Sequence, residues 1–192
     1  ELFGREPLPA NTRIPNSSYA SIANRVSYVM DWQGPSIAID TMCSSSLTAI
    51  HLACQSLKQG ECEVAVAGGV NLHSHAQKFH WLKDTHFLSQ NGRCRSFGKH
   101  QEGEQDGYVP GEGVGTVLLK PLSQAQKDGD YIWGVILGSA INHGGLAGGY
   151  TVPSPAAQQK VVEEAIKQAG INKEEISYIE AHGTGTSLGD PI

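Results

Sequence analysis

Short apolar runs alternate with helical stripes along the 192 residues of this chain. Ile22, Val26 and Val29 share one side of a first helix, for which Ser17 and Ser18 offer an N-cap. Asp31 to Ser36, with Gly34-Pro35, ends it. Ile37-Ala38-Ile39-Asp40 reads as a short apolar strand. Leu47, Ile50, Leu52 and Leu57 predict a helix from about Ser45 to Lys58, stopped by Gly60. Val64 to Ala67 is a second buried strand running into Gly68-Gly69. The stretch from Asn71 to Gly107 is polar and irregular, with a helical turn around Gln77 to Leu82. Val114 to Leu119 and Tyr131 to Leu137 read as a third and fourth strand, the latter leading into the glycine-rich Gly144 to Gly149. Ser154 at an N-cap and Pro155 at the first helical position open a helix that buries Val161, Val162, Ala165 and Ile166 and stops at Gly170. Ile176 to Ala181 is a fifth strand. Strands alternating with helices across glycine loops give an α/β layered domain. The Pro- and Asn-rich stretch 7–16 and the polar stretch Lys99 to Asp106 read as loops.

Composition narrows the class. Hydrophobic residues at 39% and charged residues at 17% are those of a globular chain. A formal charge of −5 with no Lys/Arg block argues against nucleic acid and against a membrane surface as partner. No apolar run approaches the roughly 20 residues that cross a bilayer. The first residues carry neither an initiator Met nor a signal-peptide pattern, and both ends read as cut from a larger domain.

The four cysteines, Cys43, Cys54, Cys62 and Cys94, sit in a chain too long and too apolar to need disulfide staples, which points to the reducing cytoplasm. Cys43 and Cys54 fall on one predicted helix at a separation of roughly 16 Å, beyond disulfide reach. Cys43, in Asp40-Thr41-Met42-Cys43-Ser44-Ser45-Ser46-Leu47, lies where a strand hands over to a helix. There the unpaired N–H groups and the helix dipole stabilise a thiolate, the nucleophilic form of cysteine. The small Ser44, Ser45 and Ser46 permit a tight turn, and the same N–H groups suit an oxyanion. A small buried hydrophobe at a strand-helix turn fits the same residues. Cys54 and Cys62 fit packing better than reactivity. Cys94, between Arg93 and Arg95, reads as an incidental loop cysteine.

His182, in Glu180-Ala181-His182-Gly183-Thr184-Gly185-Thr186, follows the fifth strand. A histidine at a strand's C-terminal end, followed by glycines, projects into the crevice where open α/β sheets bind ligands. It suits acid/base or electrophilic work near neutral pH, and Thr184 and Thr186 offer hydroxyls to an amide-bearing ligand. Alone, His182 reads first as a structural histidine capping a strand; only the pairing with Cys43 raises it to a candidate. Gly111-Glu112-Gly113-Val114-Gly115 precedes a strand, so it is no dinucleotide loop. His73, His75, His80 and His86 follow no zinc spacing, which argues against a metal.

Three ordered segments resemble a known family. Asp40 to His51 (DTMCSSSLTAIH) resembles the nucleophile motif of the β-ketoacyl synthase domains of modular polyketide synthases. Tyr108-Val109-Pro110-Gly111-Glu112-Gly113-Val114-Gly115 and Glu180 to Thr186 resemble further signatures of that family in the same order, continued by Gly189-Asp190-Pro191-Ile192. The resemblance implies a thiolase-like αβαβα fold of two similar halves, of which this chain covers most of the first and the opening of the second. It implies that Cys43 takes an acyl chain as a thioester from the phosphopantetheine of an acyl carrier protein. It gives His182 the task of activating a malonyl thioester extender for decarboxylation, Thr184 and Thr186 contact with the pantetheine arm, and the Cys43 N–H a place in an oxyanion hole. No cofactor is bound, the domain is a cytoplasmic homodimer, and the second histidine and a lysine of the catalytic set lie beyond Ile192. The isolated piece is therefore expected to be inactive. Met42, more often Ala in the family, borders the acyl pocket and points to assembly lines whose acyltransferase is a separate protein. A ketosynthase that only relays acyl chains, and a carrier-binding scaffold without turnover, remain as alternatives.

Overall fold

The computed structural model describes residues 18–98 and 107–192. The expected loops 7–16 and 99–106 and the proposed cap Ser17 lie outside the described residues. Helix α1 spans Ala20–Val29, α2 Ser45–Gln59, α3 Gln77–Asp84, α4 Leu122–Asp128 and α5 Pro155–Ala169; strands β1 (Ala65–Asn71) and β2 (Gly113–Leu119) pair antiparallel. A single 3₁₀ turn, Lys173–Glu175, follows α5.

The helix punctuation behaves as the sequence dictates. Ser154 accepts from the Ala157 N–H with Pro155 in the first turn, and Gly170 ends α5 in the left-handed region at φ 66°. At the end of α2, Gly60 N–H reaches Leu57 O and Glu61 N–H reaches Ser56 O, which closes the helix with a Schellman motif. The α1 cap differs from expectation. Tyr19, not Ser18, holds the N-cap position, and it makes no side-chain cap bond. Helix α4 was not foreseen from the pattern of apolar residues, because seven residues with one covered alanine, Ala125, give no stripe to see. Its signals are punctuation alone: Pro121 before it and Gly129 after it. Lys120 closes the same turn by pairing with Asp128 and Asp130.

β1 runs four residues beyond the expected Val64–Ala67, through both glycines to Asn71, because β2 pairs with it over the full register from Ala65↔Leu119 to Asn71↔Gly113. α2 packs across β1. The contact is close at its N-terminal turn, since a Cβ built on Gly69 would stand 2.9 Å from the Ser46 Cβ. Gly69 thus lets the first turn of α2, and the residues leading into it, rest directly on the strand.

Three expected strands carry no ladder. Ile37–Asp40, Tyr131–Leu137 and Ile176–Ala181 run without regular pairing, and β1–β2 is the sheet found among the described residues. Tyr131–Leu137 is apolar on both faces and the other two are mostly apolar, the pattern of strands that need a neighbour on each edge and a layer on each face. Their side chains are open instead, Trp133 at 92% and Ile179 at 76% exposure. The chain's accessible surface is 15321 Å², against roughly 9,000 Å² for a self-contained globule of its mass. The apolar pattern is that of an interior, and much of that interior lies uncovered here.

The close approach of α2 and β1 makes a prediction. Gly69→Ala forces Ser46 off the strand and should cost about 1–3 kcal/mol by overpacking. In denaturant melts of an intact domain this should appear as a lowered midpoint.

Candidate active site

Cys43 sits two residues before α2, not on it, and follows an irregular segment rather than a strand. The turn that delivers it is tight. Met42 stands at φ 58°, a left-handed conformation that an L-residue with a Cβ adopts at a cost of roughly 1–2 kcal/mol. Such a residue persists only where its surroundings over-determine it. Here both ends of Met42 are tied. Its N–H donates to Asp40 Oδ1 at 3.0 Å, and its carbonyl accepts from Ser45 N–H at 3.1 Å and Ser45 Oγ at 2.6 Å. The Ser45 hydroxyl also accepts from Thr41 N–H at 2.9 Å. Ser44 Oγ donates to the Thr41 carbonyl at 2.9 Å, and Thr41 Oγ1 lies 3.2 Å from Thr48 Oγ1.

The serines therefore do more than leave space. Ser44 and Ser45 brace the elbow, and Ser46 supplies the contact with Gly69. Met42 projects its side chain outward at 68% exposure, beside the exposed Cys43 thiol.

His182 is exposed on a loop that is itself strongly held. Ser96 Oγ donates to Gly183 O at 2.6 Å, and Gly107 N–H donates to Gly185 O at 2.9 Å. Gly185 is needed there: its φ is 68°, and a Cβ would come within 2.9 Å of Gly107 O. Asp190 fixes the rest. Its Oδ1 accepts from Thr184 N–H at 2.9 Å and Gly185 N–H at 3.1 Å, and its Oδ2 accepts from Phe97 N–H at 2.7 Å. Burial works to raise the Asp190 carboxyl, but the backbone donors of Phe97, Thr184 and Gly185 outweigh it and hold the group below its ordinary value. Thr184 and Thr186 share a hydroxyl–hydroxyl contact of 2.8 Å, and Thr186 Oγ1 accepts from Gly189 N–H at 3.1 Å. The Thr184 hydroxyl donates to Asp190 Oδ1 at 3.4 Å, so in the Thr184–Thr186 contact Thr186 donates and Thr184 accepts.

Cys43, Met42, His182, Thr184 and Thr186 all lie on one broad open concave face, together with Tyr108, His143, Phe97 and most of β1 and β2. Asp190, Tyr108 and His143 carry no role in the sequence reading. Asp190 was visible only as a continuation of the motif; the signal that finds it is the pair of main-chain donors it faces. The histidine-rich stretch is used locally: His73 Nε2 lies 3.1 Å from Gly111 O, and His75 Nδ1 accepts from Gln77 N–H. Among the described residues no group of three His, Cys, Asp or Glu side chains is placed to hold a metal, and no helix is long and apolar enough to cross a membrane. Cys94 Sγ accepts from Val109 N–H at 3.1 Å, which ties the Arg93–Gly98 loop to the Tyr108 segment.

The Asp190 clamp gives two expectations. Asp190→Asn keeps an oxygen for Thr184 and Gly185 but turns an amide donor toward the Phe97 N–H. Amide exchange at Phe97 should then quicken about tenfold, as local opening becomes easier. Because the folded carboxyl is held below its ordinary value of 3.8, the stabilisation it lends is complete above that value. It should be lost as pH falls through the lowered one, which amide exchange at Thr184 and Gly185 along an acid titration would follow.

Comparison with known proteins agrees with this geometry. The β-ketoacyl synthase N-terminal domain matches residues 4–125, and the C-terminal domain of the same family matches residues 133–192. The chain is 65% identical over its whole length to polyketide synthase PksL of Bacillus subtilis (strain 168), of which it spans 4%. It is 58% identical to polyketide synthase ThaG of Burkholderia thailandensis, spanning 3% of it. Among solved structures, the oxazolomycin ketosynthase domain OzmH KS7 of Streptomyces albus JA3453 superposes with a TM-score of 0.89 at 57% identity, covering 94% of this chain and 30% of that one. The ketosynthase from module 6 of the bacillaene synthase of B. subtilis 168 gives 0.84 at 41% identity, covering 91% and 30%. The chain thus spans a few per cent of its curated relatives and under a third of a solved ketosynthase chain, which accounts for the uncovered interior face. The fold is the thiolase-like fold of those ketosynthases, and with both family domains matched in order along it, the chain belongs to the β-ketoacyl synthase family, among the acyltransferase-type condensing domains of polyketide synthases.

Proposed function

We propose that this chain supplies the nucleophile and one catalytic histidine of a ketosynthase that extends a polyketide by decarboxylative Claisen condensation. The observation that supports the reading is the braced elbow, which holds Cys43 at the entrance of α2.

The chemistry follows in two transfers. Cys43 thiolate attacks the carbonyl of an acyl thioester on the phosphopantetheine of an acyl carrier protein. The tetrahedral oxyanion is met by the Cys43 N–H, and it collapses by expelling the carrier thiolate. A carrier-bound malonyl thioester then loses carbon dioxide, and the electron pair of the broken bond becomes an enolate. His182, donating a hydrogen bond to the enolate oxygen, holds that charge. The enolate carbon attacks the acyl-Cys43 carbonyl, Cys43 thiolate leaves, and the β-ketoacyl product remains on the carrier. Thr186, oriented by Thr184, accepts from an amide N–H of the pantetheine arm, and Thr184 lies beside it. Met42 borders the bound acyl chain, and its bulk fits the reading of an assembly line whose acyltransferase is a separate protein. The domain works without a bound cofactor, as a homodimer, with the carrier protein as partner, and the histidine and lysine that complete the catalytic set come from sequence beyond Ile192.

Intact-protein mass of a complete ketosynthase domain containing these residues, after incubation with a short acyl-pantetheine thioester, tests the assignment. An acyl-sized gain that disappears in Cys43→Ala is expected; undiminished gain in that variant would overturn it. His182→Ala should still load but lose condensation by about two to four orders of magnitude, the range for removal of an acid/base group. Normal β-ketoacyl product from that variant would remove the role.

A further inference from the structure

Cys43 goes where the entrance of α2 goes, and α2 is held on two sides. On one side Ser46 presses on Gly69 of β1. On the other, His51 Nδ1 and Ser139 Oγ lie 2.9 Å apart, both half-buried and 88 residues apart in the chain. His51 is roughly 140° around the helix axis from Ser46 at 3.6 residues per turn, so the two contacts grip different faces. Ser139 is itself firmly placed. Gly138 before it rests on the last turns of α5, where a Cβ would stand 2.4 Å from Ala165 O and 2.7 Å from Ala169 N. Asn142 Nδ2 donates to Ala157 O at 2.7 Å near the start of the same helix. Gly138 and Asn142 thus face α5 while Ser139 faces α2. The bond also joins the two matched family units, with His51 in the N-terminal one and Ser139 in the C-terminal one.

We infer that His51 is a positioning residue for the nucleophile: its bond to Ser139 sets the rotation of α2 about its own axis, and with it the direction in which Cys43 meets a thioester carbonyl. The inference rests on Cys43 being the acyl acceptor. Apolar packing is non-directional, so alone it lets a helix roll by a few degrees at little cost. A hydrogen bond is directional and weakens steeply once its angle falls away. Breaking this one leaves two half-buried polar atoms without each other, which adds to the penalty. His51 lies roughly 9 Å along the axis from Ser45, the first residue of α2. The rigid helix carries any roll at His51 to the elbow that presents the sulfur.

Two rates at Cys43, read by peptide mass in a complete ketosynthase domain, test it. Acyl loading from a short acyl-pantetheine thioester needs the sulfur, the carbonyl and the oxyanion donor in line. Alkylation by iodoacetamide, a small reagent with no oxyanion to place, does not. Ser139→Ala and His51→Leu should slow loading roughly tenfold to a hundredfold, the scale for a misplaced reacting group, while alkylation changes by less than about twofold. His51→Asn should restore loading, because its amide offers both an acceptor and a donor near the place of Nδ1. Loading at the wild-type rate in Ser139→Ala and His51→Leu would overturn the inference. So would alkylation that falls in step with loading, the mark of a general loss of structure, or a His51→Asn variant no better than His51→Leu. Ser139→Ala removes one oxygen only and keeps the test open if His51→Leu does not fold. The wild-type domain reads the acceptor assignment separately: if it fails to load, that assignment falls and takes the inference with it, whereas wild-type loading matched by the variants removes the inference alone.

Discussion

One left-handed residue governs where the chemistry can happen. Met42 turns the chain so sharply that Cys43 arrives at the entrance of α2 with its thiol outward, and the turn is unfavourable for a side chain with a Cβ. What holds it is a set of short polar side chains with partners a few residues away: Asp40 on the Met42 N–H, Ser45 on its carbonyl, Ser44 and Thr48 on Thr41. The elbow is in turn anchored on the sheet, because Ser46 of the first turn of α2 presses on Gly69 of β1. Loosening either fastening moves the sulfur. The sequence DTMCSSSLT is thus a mechanical device as much as a chemical one, and most of its residues are spent on position.

The histidine loop solves the same problem differently. It has no helix to rest on, so it is tied to two other segments, Arg93–Gly98 and Gly107–Pro110, through Ser96, Phe97 and Gly107. Asp190 is the knot, a carboxylate that collects three backbone N–H groups and so converts one charge into a fixed loop shape. This explains why glycines and threonines crowd the motif: Gly183 and Gly185 let other backbones approach, and the threonine hydroxyls form a short chain to Asp190.

Local rules read well from the sequence where the information is local. The Ser154-Pro155 start and the Gly60 and Gly170 stops are set by orphan N–H and C=O groups and by left-handed glycines, all decided within a few residues. The site motifs were legible for the same reason, since Cys43 and His182 stand in short stretches whose composition makes sense only as turns. Ile37–Asp40, Tyr131–Leu137 and Ile176–Ala181 were read as strands because their apolar pattern is that of central strands. A ladder, however, is a property of two segments, and among the described residues these three find no partner. Asp190 escaped for a related reason. It acts on Phe97, far away in sequence, and no spacing rule records such a meeting.

The central claim is that the Met42 elbow and the Asp190-tied loop present Cys43 and His182 to one substrate. A crystal structure of an intact domain trapped with an acyl group on the nucleophile and a pantetheine thioester in the crevice tests it most directly. The account predicts density continuous with Cys43 Sγ, the His182 imidazole on the extender carbonyl, Thr186 on the pantetheine amide, and Met42 still left-handed. Acylation at Cys94, or a His182 ring turned away from the bound thioester, would contradict it.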